Sequence, residues 1–198
     1  MNAVLEVSEV GSYDAETRLR PVRLGRRDGT LREARARGSF LGVGEMTEDF
    51  TFLDPGELVD GDLELVLVRK VPADPVKGHV PGYVFEMRSR PGGTVIGSLR
   101  FRVGDADTVL KYPCHVGYDV KPQFRGHRYA SRSVLLILPF ARAHGLTRLW
   151  ISCAPDNVAS RKTCERAGAK LCAILAVPED HDMYAKGFRT MCRYCIDL

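Results

Sequence analysis

The stretch His115–Ala130, with the sequence HVGYDVKPQFRGHRYA, decides how this chain folds around a binding site. It is typical of a short strand that runs through a turn into the first turn of a helix. Such a helix N-terminus presents unpaired backbone N–H groups and a partial positive charge, which together bind phosphate. Arg125, His127 and Arg128 add side-chain charge there, and Gly126 lets the backbone approach a ligand closely. The stretch therefore predicts a site for a pyrophosphate-bearing ligand.

The segments on either side of this stretch predict a mixed α/β sheet. Before it, three strands joined by turns that contain Pro and Gly indicate an antiparallel meander, at Leu63–Arg69, Tyr83–Arg88 and Val95–Val103. From His115–Val120 onward, strands and helices alternate, with helices predicted at Arg128–His144 and Val158–Ala167 and strands at Leu146–Cys153, Lys170–Val177 and Phe188–Asp197. A meander followed by alternating strands and helices favours one mixed sheet with helices packed on it.

Length and composition indicate one globular domain with an extension. The chain has 198 residues, of which 44% are hydrophobic and 27% charged, and this length suffices for one core. It contains no run of about 20 apolar residues, and its first ten residues lack the basic region of a signal peptide. We therefore expect a cytoplasmic protein without a membrane span. Weak periodicity before Gly61 divides the chain into an extension, residues 1–61, and a domain, residues 62–198.

The extension contains an arginine-rich segment, Arg18–Arg37. Its eight arginines stand against Asp28 and Glu33, a net charge of +6, whereas the whole chain carries +4. The segment could bind nucleic acid, an acidic partner or the acidic tail of another subunit. It contains no aromatic residue for base stacking, so a solvated arm with a short helix at Thr30–Arg37 is the favoured interpretation.

Six cysteines lie in the predicted strands and helices, at Cys114, Cys153, Cys164, Cys172, Cys192 and Cys195. In a reducing compartment we expect them to be small buried side chains. Cys192 and Cys195 form a C-x-x-C pattern, but residues three apart on a strand point to opposite faces. No further zinc ligands stand at suitable spacing, so no metal is predicted.

Two motifs, together with the order of the elements between them, resemble the GNAT acyltransferase superfamily. Gly117–Ala130 is similar to that family's pyrophosphate loop, commonly written R/Q-x-x-G-x-G/A, with Arg125 at its opening position. Asn157–Gly168 is similar to the N-x-x-A/S helix that ends in E-K-x-G. The two motifs occur in order and are separated by a helix and a strand. The resemblance extends from about Leu63 to Leu198.

The resemblance implies an N-acetyltransferase that moves an acetyl group from acetyl-CoA to a primary amine by direct attack in a ternary complex. The implied fold is an antiparallel meander followed by β-α-β-α-β-β, with a splayed central sheet that admits the pantetheine arm. Backbone N–H groups near Asp119 and Val120 would polarise the thioester carbonyl, an effect of about 3 kcal/mol. The implied coenzyme-binding residues are Asp119, Val120, Arg125, Gly126, His127, Arg128, Tyr129, Ala130, Ser131 and Asn157.

The chain departs from the family pattern at two positions. Arg128 stands where the family has its central glycine, so its side chain must point away from the phosphates or reach round to bind them; we favour retained binding. Cys164 stands where many members have a tyrosine that protonates the departing thiolate. A thiol could donate that proton, but a small packed residue is the favoured interpretation.

Candidates for the remaining catalytic roles are spread along the chain. For a general base the sequence offers His115, Asp119 and Glu86, of which His115 titrates at a useful pH and is preferred. The polar loop Pro178–Tyr184 lies between the last two predicted strands. In the family that the chain resembles, the loop at this place often borders the acceptor site. Tyr184 is the preferred residue there for contacting the acceptor or protonating the thiolate.

Two other functions remain open at this point. The chain could bind coenzyme A without catalysis, as a sensor or interaction protein, which Arg128 and Cys164 motivate. It could also associate with nucleic acid through its basic arm, with a steep salt dependence, although this is not favoured. For an enzyme, the acceptor could be a small-molecule amine or a protein N-terminal amine. The open sheet edges of the implied fold also allow a homodimer.

Overall fold

The computed structural model describes residues 50–104, 114–180 and 182–198. Within them, eight strands form one mixed sheet in the order β1-β2-β3-β4-β5-β6-β8-β7. The strands are β1 Leu58–Asp60, β2 Leu63–Val71, β3 Gly82–Ser89, β4 Val95–Arg102, β5 Val116–Val120, β6 Arg148–Cys153, β7 Lys170–Ala176 and β8 Thr190–Asp197. The predicted fold class is confirmed. The arginine-rich segment and the helix predicted at Thr30–Arg37 lie outside the described residues.

Two of the helices in the described residues are long, and their ends follow local sequence signals. Helix α1, Tyr129–Ala143, continues through Pro139, and Gly145 follows it with a φ of +77°, as is common after a helix end. Helix α2, Val158–Arg166, is capped by Asn157, whose side chain accepts a hydrogen bond from the Ser160 N–H. The four-residue helix α3, Asp182–Ala185, lies between β7 and β8. The sequence prediction lacked α3 and the short strand β1.

The main core lies between α1 and one face of the meander. Phe140 of α1 packs edge-on against Tyr83, with ring centroids 4.9 Å apart, and also contacts Phe85 and Phe101. All four rings are buried, and each such buried side chain stabilises the fold by about 1.5–3 kcal/mol. Phe52 packs on Tyr83 from outside the sheet, with centroids 5.4 Å apart. This packing fixes the axis of α1, and therefore the position of its N-terminus.

The sheet opens between β5 and β6. These two strands are parallel and share one register pair, Val116 with Ile151, whereas β5 pairs with β4 over five residues. Beyond Val116, the rest of β5 pairs with no described strand on its β6 side. This confirms the splayed central sheet, and the gap leads toward the N-terminus of α1.

The two faces of the sheet differ in chemistry. Alternation along each strand places Leu99, Tyr118 and Ile151 on the face that carries α1 and α2. The opposite face receives the intervening, mostly polar side chains of β4, β5, β6 and β8, among them Ser98, Arg100, Arg102, Asp119, Trp150, Ser152 and Arg193. The gap between β5 and β6 therefore joins a helix-covered face to a polar one.

Candidate functional site

A pocket of about 650 Å³ lies at the end of β5, between the N-termini of α1 and α2. It includes residues from both motifs of the sequence, among them the last three residues of β5. Its lining residues are Tyr118, Asp119, Val120, Phe124, Arg125, Gly126, Arg128, Tyr129, Ala130, Asn157, Val158, Ala159, Ser160, Lys162, Thr163 and Arg166. The pocket therefore lies at the mouth of the gap between β5 and β6.

The loop before α1 turns the helix N-terminus toward the pocket. A single 3-10 turn, Pro122–Phe124, follows β5, and the Arg125 side chain then folds back so that its Nε donates to the Val120 carbonyl over 3.1 Å. Gly126 has a φ of +90° and Arg128 a φ of +62°, both in the left-handed region that favours glycine. Arg128 is the N-cap residue, and its side chain makes no capping hydrogen bond. The first-turn N–H groups are therefore available to an anion.

The pocket lining carries an excess of positive charge. Arg125, Arg128, Lys162 and Arg166 line it, and all four are exposed. Asp119 is the acidic residue of the lining, and its carboxylate accepts a hydrogen bond from Ser98 Oγ. Four cations beside a helix N-terminus suit a ligand with several phosphate charges.

The start of α1 is tied to the turn between β1 and β2 by an ion-pair network. Arg132 pairs with Asp60 over 2.6 Å and with Asp62 over 2.7 Å, and the Tyr129 hydroxyl donates to Asp62 over 2.9 Å. Hydrogen bonds from Arg132 and then Tyr129 lower the pKa of the Asp62 carboxyl. Tyr129 therefore points its hydroxyl at the turn, and the network holds the helix N-terminus at the pocket.

Tyr118 and Ser160 join β5 to α2 beside the gap. The Tyr118 hydroxyl lies 2.9 Å from Ser160 Oγ and 3.7 Å from Cys164 Sγ. Burial raises the pKa of Tyr118, so its hydroxyl stays protonated at neutral pH. Neither residue was assigned a role from sequence, although Ser160 occupies the A/S position of the N-x-x-A/S motif. Ser160 and Tyr118 are 42 residues apart along the chain, so the sequence alone did not indicate their contact.

The ten predicted coenzyme-binding residues fall into two groups. Eight of them line the pocket, whereas His127 and Ser131 do not. His127 is exposed, with its ring 5.8 Å from that of Tyr129. Ser131 is buried, and its hydroxyl donates to the Arg128 carbonyl over 3.0 Å. Ser131 thus fixes the first turn of α1 instead of facing the pocket.

Two of the three predicted catalytic side chains are buried outside the pocket lining. His115 Nδ1 accepts a hydrogen bond from the Trp150 N–H over 3.0 Å, and Nε2 lies 3.3 Å from the Gly104 carbonyl. Burial lowers the pKa of His115, and both ring nitrogens are occupied by backbone groups. Cys164 is fully buried beneath Tyr118, and the neighbouring Cys153 thiol together with burial raises its pKa.

Tyr184, the third predicted catalytic residue, lies in α3 and also outside the pocket lining. Its hydroxyl donates to Glu179 over 3.3 Å, and the Arg189 guanidinium stacks on its ring at 3.8 Å. Glu86, a weaker candidate base, pairs with Arg88 over 2.8 Å on β3. The structure therefore brings most of the predicted coenzyme site together. Of the candidate catalytic residues, it places Asp119 in the pocket lining and His115, Cys164, Tyr184 and Glu86 outside it.

The cysteines differ in part from the expected pattern. Cys114, Cys153, Cys164 and Cys192 are buried and free, as expected. Cys172 and Cys195 form a disulfide between β7 and β8, so the expectation of six unpaired side chains was wrong for these two. Their strands are antiparallel neighbours, and this proximity was not visible in the spacing along the chain.

Neither a metal site nor a membrane helix occurs in the part of the chain that the structure describes. Among those residues, no three His, Cys, Asp or Glu side chains are grouped as metal ligands would be. None of the helices found there has the length and apolar character needed to cross a bilayer.

One solved structure with a TM-score above 0.5 agrees with this architecture. A candidate ribosomal-protein-serine acetyltransferase from Vibrio cholerae shares 19% sequence identity at a TM-score of 0.53, over 74% of this chain and all of that one. Ribosomal-protein-S5-alanine acetyltransferase from Vibrio fischeri (17% identity, TM-score 0.47) and the microcin C7 self-immunity acetyltransferase MccE, solved with acetyl-CoA and AMP (19%, 0.46), match over 59% of this chain and 61% of their own. No curated protein matches the sequence.

The family is shown by the sequence between the end of β2 and the start of β7. A family model described as an acetyltransferase (GNAT) domain matches residues 70–170, just over half of the chain. That range contains β3 to β6, the loop of the pocket and both long helices. This chain belongs to the GNAT acetyltransferase family.

Proposed function

We propose that this protein transfers the acetyl group of acetyl-CoA to a primary amine by direct attack. The observation that carries the proposal is the cationic pocket at the N-terminus of α1, which lies at the mouth of the gap between β5 and β6. A long ligand with phosphates at one end and a slender arm at the other fits that arrangement. Both ends of the ligand then meet groups of suitable chemistry.

Different residues of the pocket would hold different parts of the coenzyme. Arg125, Arg128 and the first N–H groups of α1 would hold the pyrophosphate, and Gly126 leaves room for it. The exposed edge of β5 at Asp119 and Val120 would pair with the pantetheine arm, and Asn157 forms the wall across from it. Acetyl-CoA would supply an activated acyl group as a thioester.

In the transfer step, the neutral amine nitrogen attacks the carbonyl carbon, a C–N bond forms and the C–S bond breaks. The amine gives up one proton, and the departing sulfur takes up one proton. Ser160 lines the pocket with the Tyr118 hydroxyl 2.9 Å behind it, and we assign to this pair the hydrogen bond that stabilises the departing sulfur. Tyr184 stays proposed for acceptor contact. The roles predicted for His115 and Cys164 stay predictions, and burial favours structural roles for both.

Both a small-molecule amine and a protein N-terminus satisfy this chemistry, and an enzyme that consumes acetyl-CoA suits the expected cytoplasmic location. The test is acetyl transfer to a panel that contains both acceptor types, with the acetylated product measured by mass spectrometry. Ser160→Ala should lower kcat by about 100-fold while the Kd for acetyl-CoA stays within about twofold. Ser89→Ala, a hydroxyl deletion at the end of β3 and outside the pocket lining, should keep full activity.

Two results would contradict the proposal. Ser160→Ala with unchanged kcat would remove the assigned role of the hydroxyl pair. Tight binding of acetyl-CoA without transfer to any amine of the panel would favour the alternative, a coenzyme A-binding protein that does not catalyse.

A further inference from the structure

Three arginines that have no acidic partner among the described residues lie on the sheet face opposite α1 and α2. Arg100 and Arg102 extend from β4 and Arg193 from β8, and Trp150 of β6 lies beside Arg193. We call this surface the arginine face, defined by Arg100, Arg102, Arg193 and Trp150. It lies outside the pocket already described, whose lining includes none of these residues.

Short contacts through Cys114, which precedes β5, connect the parts of the arginine face that lie on β4, β6 and β8. Arg102 Nη1 donates to the Cys114 carbonyl over 3.1 Å, and Cys114 Sγ lies 2.6 Å from Ser152 Oγ. Ser152 stands directly opposite Arg193 in the register of β6 and β8. Burial raises the pKa of the Cys114 thiol, and the charges of Arg193 and Arg102 both act against that rise. The arginines therefore act on one small region and not on separate surfaces.

The charges of these arginines are not neutralised within the described residues. The ion pairs found there engage other cations, namely Lys77, Arg88, Arg132 and Arg148. Arg193 Nε and Nη2 are buried and have no hydrogen-bond partner in the part of the chain that the structure describes. The Arg193 guanidinium lies 4.5 Å from the Trp150 ring centroid. Burial and then the charge of Arg100 lower the pKa of Arg102. Hydrogen-bond donors that lack acceptors in a poorly solvated region favour the binding of an anion.

The arginine face borders the gap from the side opposite the pocket. Gly117 stands opposite Arg100 in the register of β4 and β5, and a Cβ on it would lie 3.9 Å from Arg102 Nη1. Gly117 is also the residue directly after Val116, where the pairing of β5 with β6 ends. A molecule held by the arginines can therefore reach the gap past a residue that has no side chain.

We propose that the arginine face binds an anionic group of the acceptor, a carboxylate or a phosphate, and so directs the acceptor amine to the gap. The assignment of the amine rests on the proposed function, whereas the binding of the anion does not. Arg193 is the main anchor because two of its buried donors have no partner within residues 50–104, 114–180 and 182–198. Arg102 and Arg100 widen the site toward Gly117.

The chain contains a single tryptophan, Trp150, so its fluorescence reports on this surface directly. Purified full-length protein is titrated with sodium acetate and with inorganic phosphate, and sodium chloride at equal ionic strength serves as the reference. We expect a saturable change for at least one of the two anions, with an affinity reduced about tenfold or more in Arg193→Gln and reduced in Arg102→Gln. Arg88→Gln removes a cation from the same sheet face that is already paired with Glu86, and it should behave as wild type.

A response that equals that of chloride, or one that survives in both Arg193→Gln and Arg102→Gln, overturns the proposal. The acceptor role is tested by the ratio of kcat/KM for matched amines, phosphoethanolamine against ethanolamine and glycine against glycinamide. In at least one pair, kcat/KM for the anionic amine should exceed that for its neutral counterpart by about tenfold or more. Arg193→Gln should remove this difference, mainly by raising KM for the anionic amine. Equal kcat/KM within both pairs overturns the acceptor role.

The two proposals fail in different ways. Loss of the coenzyme site would appear as absent acetyl-CoA binding, with the tryptophan response to anions intact. Loss of the arginine site would leave acetyl-CoA binding intact and would remove the response to anions. Arg125→Ala in the tryptophan titration separates them further, because it alters the pocket and should leave the response to anions unchanged.

Discussion

Arg128 begins helix α1 in a backbone conformation that suits glycine, and it lines the pocket at the same time. Its φ of +62° and ψ of +16° lie in the left-handed region, and its side chain is exposed and makes no capping hydrogen bond. For a residue with a Cβ this conformation costs about 1–2 kcal/mol. Glycine removes that cost but loses about 0.5–1 kcal/mol through the greater freedom of the unfolded chain. Arg128→Gly should therefore stabilise the protein by about 0.5–1 kcal/mol.

The same substitution should weaken coenzyme binding, because it removes a cation from the pocket. A hydrogen bond to a charged group contributes about 1.5–3 kcal/mol, so the Kd for acetyl-CoA should rise at least about tenfold. The change in Tm should be about +1 to +4 °C for a protein of this size. Arg128→Ala is the matched control, since it removes the charge and keeps the unfavourable φ. Calorimetric scans give the Tm, and isothermal titration gives the Kd.

Two outcomes would refute this reasoning. If Arg128→Gly is no more stable than Arg128→Ala, the backbone conformation at this position does not cost what the left-handed φ implies. If both variants bind acetyl-CoA as wild type does, the side chain points away from the phosphates, and the departure from the family glycine has no role in binding.

Two further predictions concern stability. Gly97→Ala should destabilise the protein by about 1–3 kcal/mol in urea unfolding, because a Cβ there would collide with the Asp119 carbonyl. The control Gly117→Ala, where a Cβ would make only an ordinary contact, should change stability by less than about 0.5 kcal/mol. Equal effects of the two substitutions would contradict the close pairing of β4 with β5. Burial lowers the pKa of His115 below its ordinary value near 6.5, so its neutral form stabilises the fold above about pH 6.5 and stability should fall as the pH drops from 7 to 5. This pH dependence should weaken in His115→Gln, and an identical dependence would contradict the bond from the Trp150 N–H.

The strands and long helices could be predicted because their signals are local. Alternating burial in β3 and β4 follows from packing one face on α1, and the polar cap Asn157 marks the start of α2. The phosphate-binding end of α1 could be predicted for the same reason, since Arg125 and Gly126 lie within one turn of it. Strand β1 escaped prediction because three residues are too few to establish a period.

The catalytic assignments could not be made from the sequence because they depend on contacts between distant residues. His115 Nδ1 accepts a hydrogen bond from a backbone N–H 35 residues away, and the Tyr118 hydroxyl is hydrogen-bonded to Ser160 Oγ beside the gap. The arginine face likewise combines side chains from β4 and β8. Composition and spacing show which groups can titrate or bind, but only the register of the sheet shows which of them meet.

The central claim is that the pocket at the N-terminus of α1 binds acetyl-CoA, and isothermal titration of the purified protein tests it most directly. Wild type should bind with one site per chain, and Arg125→Ala should weaken binding about tenfold or more through loss of a charge-assisted contact. Arg142→Ala, which removes an exposed cation in the last turn of the same helix, should bind as wild type does. Absence of binding, or equal affinity in wild type and Arg125→Ala, would contradict the account.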